Sequence, residues 1–334
     1  MYTRARMALF HENLVAIARP VSFAEGARLL RQGEPSRGAF VIRKGSVEAR
    51  VALPGGGTLA VAQLGEGAML GETALIERGV CSASVVACSA VEGWFVARED
   101  FRAMVASRDP GALELQRGIT RILAAKLHAL NARLREHAAE EDRPARGADP
   151  VAAESAPGFD WRAFLRALPF FEGFDDEEVG ELASLGRAFS LPRGARLFAA
   201  ASAAERCFLM VRGAAEIYST PGSLERRIAI AGPGELIGYL AVLERRPHGA
   251  SARIREQACL LEFPAAGFLE LYEGPSGTAV RLQHAIHRSL LRSLARTNTQ
   301  LTRLISEAGL RGAHAKSREL ETVLRSQIVT GTSD

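Results

Sequence analysis

Cysteine is scarce in this chain and never paired in sequence. Cys81, Cys88, Cys207 and Cys259 lie far apart with no CxxC spacing. That argues against a zinc site and against a disulfide framework. Lysine is scarcer still: Lys44, Lys126 and Lys316 are the three in 334 residues, so the basic residues are almost all arginine. Genomic base composition is sufficient reason for that bias. No stretch approaches the roughly 20 apolar residues a membrane span needs. The basic start, MYTRARMALFHENLVAIARP, is broken by His11, Glu12 and Asn13 and does not read as a signal peptide. The expectation is a reducing, cytoplasmic protein that does not engage a membrane.

Catalytic signatures are missing as well. No GxSxG, GxxxxGK[ST] or HExxH occurs, and no enzyme is expected. His284 and His287 stand three apart near the C-terminal end, with no acidic or cysteine ligand close by. They read as exposed helix residues, and no metal is expected. The formal charge of +4, from 42 basic and 38 acidic residues, is small for this length and does not by itself call for nucleic acid. Most of the excess lies between Arg281 and Arg325, where nine Arg and Lys face three Glu. An acidic partner would meet that region first.

What the chain does have is an internal repeat. FAEGARLLRQGEPSRGAFVIRKGSVEARV, from Phe23, aligns with LPRGARLFAAASAAERCFLMVRGAAEIYS, from Leu191, so that Gly26, Phe40 and Gly45 fall on Gly194, Phe208 and Gly213. Further on, LGEGAMLGETALIERG aligns with AGPGELIGYLAVLERR. There Gly65, Gly67, Gly71, Ala74, Glu77 and Arg78 meet Gly232, Gly234, Gly238, Ala241, Glu244 and Arg245. The offset is 168 in the first block and 167 in the second, so one residue is lost in a turn between them, where a deletion costs least. A period this long means two copies of a whole domain, since solenoid units are far shorter.

Within each copy the pattern is β-rich. Val47, Ala49, Val51 and Leu53 alternate with Ser46, Glu48, Arg50 and Ala52, giving a strand with one buried face. The turn at Pro54–Gly57 returns it through LAVAQL, and Thr220–Ser223 does the same in the second copy. Short strands punctuated by glycine suggest an antiparallel roll or sandwich. Each copy then runs into a long amphipathic helix. Asp109-Pro110 supplies an N-cap and first-turn proline ahead of the stripe Ile119, Leu123, Leu127, Leu130 and Leu134. Pro275 opens the second, striped by Leu282, Ile286, Leu290, Leu294 and Leu301. Two readings of the stripes stay open: packing on the chain's own β-domain, or a coiled-coil-like contact between subunits of a homodimer. Residues 136–158, rich in Ala, Pro and charge without periodicity, read as a linker.

A glycine-punctuated roll, a short helix opening with Gly-Glu and a long amphipathic helix together resemble the cyclic nucleotide-binding domain. That family includes the bacterial catabolite activator proteins and the regulatory subunits of cyclic-AMP-dependent protein kinase. The resemblance covers roughly residues 8–135 and 160–305, with LPFFEGFDDEEVGELASL, from Leu168, similar to the family's helical lead-in. It implies mixed β-roll and α domains at 1–135 and 159–310, the linker between them, and a basic tail at 311–334.

The resemblance also implies a phosphate-binding cassette. In the family, a glutamate after the glycine accepts from the ribose 2′-hydroxyl, and an arginine further on pairs with the cyclic phosphate. Here the first copy reads LGETALIERGVCSASVV, so Gly71, Glu72 and Thr73 match the opening, and Ser82 and Ala83 match the residues after the arginine. The arginine position itself is Cys81. A neutral thiol is a poor partner for phosphate, and losing a charge-assisted hydrogen bond costs about 1.5–3 kcal/mol. Arg78 is a candidate substitute, against its reading as an ordinary surface residue. In the second copy Gly238 is kept, but Tyr239 replaces the glutamate and His248 the arginine, followed by Gly249. Histidine partners a phosphate only when protonated.

The expectation is a regulatory protein that senses a cyclic nucleotide, cyclic AMP or cyclic GMP first, in its first copy. The second copy is expected to be degenerate, and the output is contact with a protein partner. Two alternatives stand beside it: a scaffold or dimerisation protein with both pockets inactive, and a sensor of a cyclic dinucleotide. Only GLRGAHAKSRELETVLRSQIVTGTSD follows the last helix, too short for a helix-turn-helix domain, so DNA binding and a transcriptional role are not expected.

Overall fold

In the computed structural model the described residues are 18–52, 58–137, 143–144, 154–220 and 224–310. The hairpin tip 54–57, most of the tip at 220–223, most of the linker and the basic tail 311–334 lie outside them. The chain divides into two compact units, residues 1–130 with 290–334, and residues 131–289.

The first unit is built on eight strands. One sheet has the order β1 (Ala18–Phe23), β8 (Val91–Ala97), β3 (Gly38–Lys44), β6 (Met69–Leu70). The other runs β2 (Arg28–Leu30), β7 (Ser84–Ala87), β4 (Val47–Ala52), β5 (Thr58–Leu64). All pairings are antiparallel. The alternation expected from the sequence is present on β4, where Val47 and Ala49 are buried, Arg50 is exposed and Glu48 lies between. Ile42, Val47, Ala49, Leu70 and Val85 close the interior of the roll.

The second unit repeats the plan with longer strands. β12 (Arg206–Ser219) and β15 (Ser251–Pro264) each run unbroken where the first unit uses two strands. The order is β10 (Arg187–Leu191), β15, β12, β13 (Leu224–Ala231), β9 (Arg143–Pro144), with β11 (Arg196–Phe198) on β15 and β14 (Leu236–Ile237) on β12. The registers coincide: Phe40 faces Leu70 as Phe208 faces Ile237, and Val41 faces Met69 as Leu209 faces Leu236. Backbone geometry agrees. Gly45 and Gly213 have φ of +93° and +91°, and a Cβ on either would sit 2.2 Å from the Ala90 carbonyl or 2.4 Å from that of Gln257. Only glycine tolerates both the conformation and the approach. The two tandem β-roll copies are therefore real.

On the outside of the second roll, Arg253 is buried with two carboxylates. Its Nη2 lies 3.0 Å from Glu216 and 2.8 Å from Glu225, and its guanidinium stacks over Tyr218 at 4.4 Å.

Helices flank each roll. In the first copy these are α1 (Thr73–Ile76), α2 (Arg98–Ala106) and α3 (Pro110–His137). Asp109 Oδ1 accepts from the Ala112 N–H at 3.0 Å, so the N-cap read from Asp109-Pro110 is in place. In the second copy a lead-in of α4 (Arg162–Leu165), a 3-10 turn at Pro169–Phe171 and α5 (Asp176–Leu185) precedes the roll. A capping box of Asp175 and Glu178 opens α5. Then come α6 (Tyr239–Leu243), α7 (Ala265–Glu273) and α8 (Gly277–Leu310), the last beginning two residues after Pro275. The stripe from Ile119 to Leu134 is buried at every position, as are Leu282, Ile286 and Leu290. One expectation fails here: His287 is not an exposed helix residue but fully buried, because it faces inward beside Gln283 and Ile286, and His284 is half-buried. No helix among the described residues is long and apolar enough to cross a membrane.

Candidate functional site

The two cassettes occupy equivalent places, each reached from a two-residue strand that ends in a left-handed glycine. β6 delivers the chain to Gly71 (φ +71°) and β14 to Gly238 (φ +77°). At Gly71 a Cβ would lie 3.1 Å from the Gly38 carbonyl and 3.7 Å from Ser36 Oγ. The glycine thus lets the cassette press against the turn Gly33–Gly38. The same turn grips the other end: the Cys81 N–H donates to the Glu34 carbonyl at 2.8 Å, and the Gly33 N–H to the Cys81 carbonyl at 2.9 Å. The second copy repeats this, with the His248 N–H donating to Ser202 at 3.0 Å and the Ala201 N–H to His248 at 2.8 Å. Ala201 holds φ +63° where Gly33 holds +80°, a left-handed conformation that alanine adopts only under constraint.

In the N-terminal cassette, Glu72 precedes the single turn of α1. Its residue is only 4% exposed. A buried carboxylate needs a counter-ion or dense hydrogen bonding, and it has one: Lys126 Nζ, reaching from α3, lies 2.5 Å from Glu72 Oε1. A second cation, Arg98 at the start of α2, is also buried. Its Nε donates to the Ala74 carbonyl, and its Nη2 donates to Ser36 and Glu77 carbonyls at 2.9 and 3.1 Å. Arg98 therefore ties the end of α1, the turn and α2 together. Cys81 is half-buried, and burial, with the charge of Glu34 adding to it, pushes its thiol above the ordinary range. It stays a neutral thiol near neutral pH. Thr73, Arg78 and Ser82 are exposed, and Ala83 packs against the core of the roll.

The C-terminal cassette is filled by its own side chains. Tyr239, in the position of Glu72, is buried. His248, in the position of Cys81, is buried too and stacks on Phe198, with ring centroids 3.9 Å apart and planes 12° from parallel. A Cβ on Gly238 would come 2.9 Å from His248 Cε1, so the imidazole lies directly over the glycine. Burial lowers the pKa of His248, which removes the charge a phosphate would need. Gly249 is exposed beside it. Arg245, the counterpart of Arg78, turns outward to pair with Glu273 at 3.0 Å.

The sequence-derived residues thus fall together on one cassette per copy. Three that sequence reasoning missed shape those cassettes: Lys126, Arg98 and Phe198. Their repeat counterparts gave no lead, Leu30 standing opposite Phe198 and Ala265 opposite Arg98. Lys126 did carry a signal, as one of three lysines in an arginine-rich chain. Among the described residues no group of three His, Cys, Asp or Glu is placed to hold a metal ion.

A duplicated antiparallel roll, with a glycine-opened cassette and a long helix in each copy, defines the architecture of both halves. The chain belongs to the cyclic nucleotide-binding domain family, whose model matches residues 20–108 and again 188–274, just over half of its length. The cyclic AMP receptor protein of Thermus thermophilus is 30% identical over 108 residues, 32% of this chain. The chain spans about half of that relative's length. Among solved structures, the regulatory domain of Toxoplasma gondii PKA, with cAMP, is 16% identical, covering 85% of this chain and 89% of its own at a TM-score of 0.33. The catabolite activator protein of Thermus thermophilus is 28% identical, covering 43% of this chain and 61% of its own at 0.29. Membership rests on the two matched segments and on the repeated registers.

Proposed function

We propose that this protein is a non-catalytic, cytoplasmic regulator that senses a cyclic nucleotide through its N-terminal cassette and signals by contact with a protein partner. The observation that carries this reading is the contrast between the copies. The N-terminal cassette keeps a carboxylate, Glu72, beneath a solvent-reachable lysine, whereas Tyr239 and His248 fill the C-terminal one. A ligand hydroxyl that takes Glu72 as acceptor alters the ion pair with Lys126, and with it the seating of α3. Arg98 passes any movement of α1 to α2. Such a switch works only if the ligand favours one seating over the other. The relative named as a cyclic AMP receptor makes cyclic AMP the first candidate, with cyclic GMP and cyclic dinucleotides next.

Thermal melting of the full chain against these nucleotides tests the reading. A sensor shows a concentration-dependent rise in Tm. Glu72→Ala is expected to abolish that rise and Tyr239→Ala to preserve it. The neutral thiol of Cys81 favours a second reading, a scaffold with both cassettes inactive. A melt that no nucleotide moves at millimolar concentration selects it.

A further inference from the structure

We propose that Lys126, on α3, is the anion-recognising residue of the N-terminal site, supplying from outside the cassette the positive charge that Cys81 cannot. The inference rests on the reading of that cassette as a ligand site.

Among the cations around the cassette, Arg98, Arg31 and Arg78 are committed or face elsewhere. The guanidinium of Arg98 is spent on backbone carbonyls of Ala74, Ser36 and Glu77, and releasing it would free the end of α1. Arg31 is exposed and pairs with Glu34 at 2.9 Å. Arg78 is exposed on the segment after α1, and its counterpart Arg245 points outward to Glu273. Lys126 is paired too, but its partner belongs to the cassette itself. Its ammonium is 2.5 Å from Glu72, which begins the cassette, while its side chain keeps 36% of its surface exposed.

An ammonium has three N–H donors. Among the described residues Lys126 gives one, to Glu72 Oε1. Because Glu72 is buried, its charge still requires compensation when a ligand enters, so the lysine cannot simply leave. A ligand that offers a hydroxyl to Glu72 and an anionic oxygen close by meets both halves of the pair at once. The class that fits is a small phosphodiester with a neighbouring hydroxyl. A point charge on a flexible stem can follow such an anion without the fixed geometry that arginine imposes. The arrangement also places the charge contact on α3 itself, so anion recognition and helix seating become one event.

The test uses the full chain and two measurements, with cyclic AMP, cyclic GMP and cyclic di-GMP each titrated in turn. By calorimetry, Lys126→Met is expected to weaken the nucleotide the wild type binds by about ten- to a hundred-fold, and Lys126→Arg by only a few-fold. The second measurement needs no variant at position 126. With 15N-labelled lysine the wild type gives three side-chain signals, assigned by Lys44→Arg and Lys316→Arg. The Lys126 signal is expected to move further with the nucleotide than with saturating adenosine, which offers Glu72 the same hydroxyl but lacks the phosphate. Wild-type binding with a Lys126 signal that moves no further than adenosine moves it, or tighter binding by Lys126→Met, overturns this inference alone. The second outcome would make the lysine a competitor of the ligand. No wild-type binding of any of the three overturns the sensor reading as well.

Discussion

Cys81 and His248 stand at matching places in the two cassettes, and burial keeps both neutral near neutral pH. Cys81 sits at the hinge of a backbone bridge to Gly33 and Glu34, with its thiol raised by burial. The bridge is made by the main chain, so the side chain can be exchanged without breaking it. Cys81→Arg is accordingly expected to fold and to tighten nucleotide binding by about ten- to a hundred-fold, the worth of one charge-assisted bond. Calorimetry on the variant beside the wild type measures it, and an unchanged affinity would show that the loop aims this position away from the ligand.

His248 leads to a pH prediction. Its folded-state pKa is lowered by burial, whereas in the unfolded chain it takes up a proton near the ordinary value of about 6.5. Above that pH both states are neutral and its packing against Phe198 contributes fully. As pH falls below it, the unfolded chain binds the proton first and stability is lost until the folded-state pKa is passed. Urea unfolding between pH 7.5 and 5 is expected to show this loss in the wild type and a shallower one in His248→Gln. Equal slopes would remove the imidazole from the account.

At the scale of elements, the buried cluster on β12, β13 and β15 is the clearest liability. Arg253 neutralises Glu216 and Glu225 in a site from which water is largely excluded. Removing it by Arg253→Met takes the shared cation from two buried carboxylates and leaves Glu216 only Arg255 at 4.0 Å, a change that typically costs about 3–5 kcal/mol. Chemical denaturation should register it, and a loss under about 1 kcal/mol would mean the carboxylates find water instead. The cluster was not legible in the sequence. Its members lie 28 and 37 residues apart and become neighbours only through strand pairing. Their counterparts in the first copy are Val86, Glu48 and Thr58, so the repeat offered no guide.

The glycines were legible for the opposite reason. Left-handed turns and close backbone approaches leave few substitutes, so Gly26, Gly45, Gly67 and Gly71 recur in both copies with positive φ. The long helix from Pro110 announced itself through its N-cap and apolar stripe. The shorter α2 and α7 did not, because Ala97 and Pro264 stand at their N-caps and neither offers a side-chain cap. The same divide runs through the site. Glu72 and Cys81 could be read from a local motif, but the lysine that neutralises Glu72 comes from 54 residues away. Phe198, which completes the plug on Gly238, belongs to a strand whose counterpart carries leucine at that place.

For the molecule as a whole, duplication has left two rolls with one geometry and unequal interiors. Gly71 and Gly238 keep the same φ, and the bridges at Cys81 and His248 keep the same pattern, so the shell of the cassette persists in both. The contents differ. One shell holds an ion pair whose lysine is partly open to solvent, and the other holds a stacked imidazole and a buried tyrosine. Emptying the second would require moving His248 off Phe198 and Gly238 and exposing Tyr239. Burial of a side chain of that size is worth about 1.5–3 kcal/mol, and neither residue offers an anion a charge in return. The titration is therefore expected to saturate at one nucleotide per chain, and Glu72→Ala to take that value to zero. Two equivalents for the wild type, with one surviving in Glu72→Ala, would mean that the C-terminal copy opens after all. His248 would then be a gate instead of a plug, and the affinity of that second site should rise as the pH falls and the imidazole gains its charge.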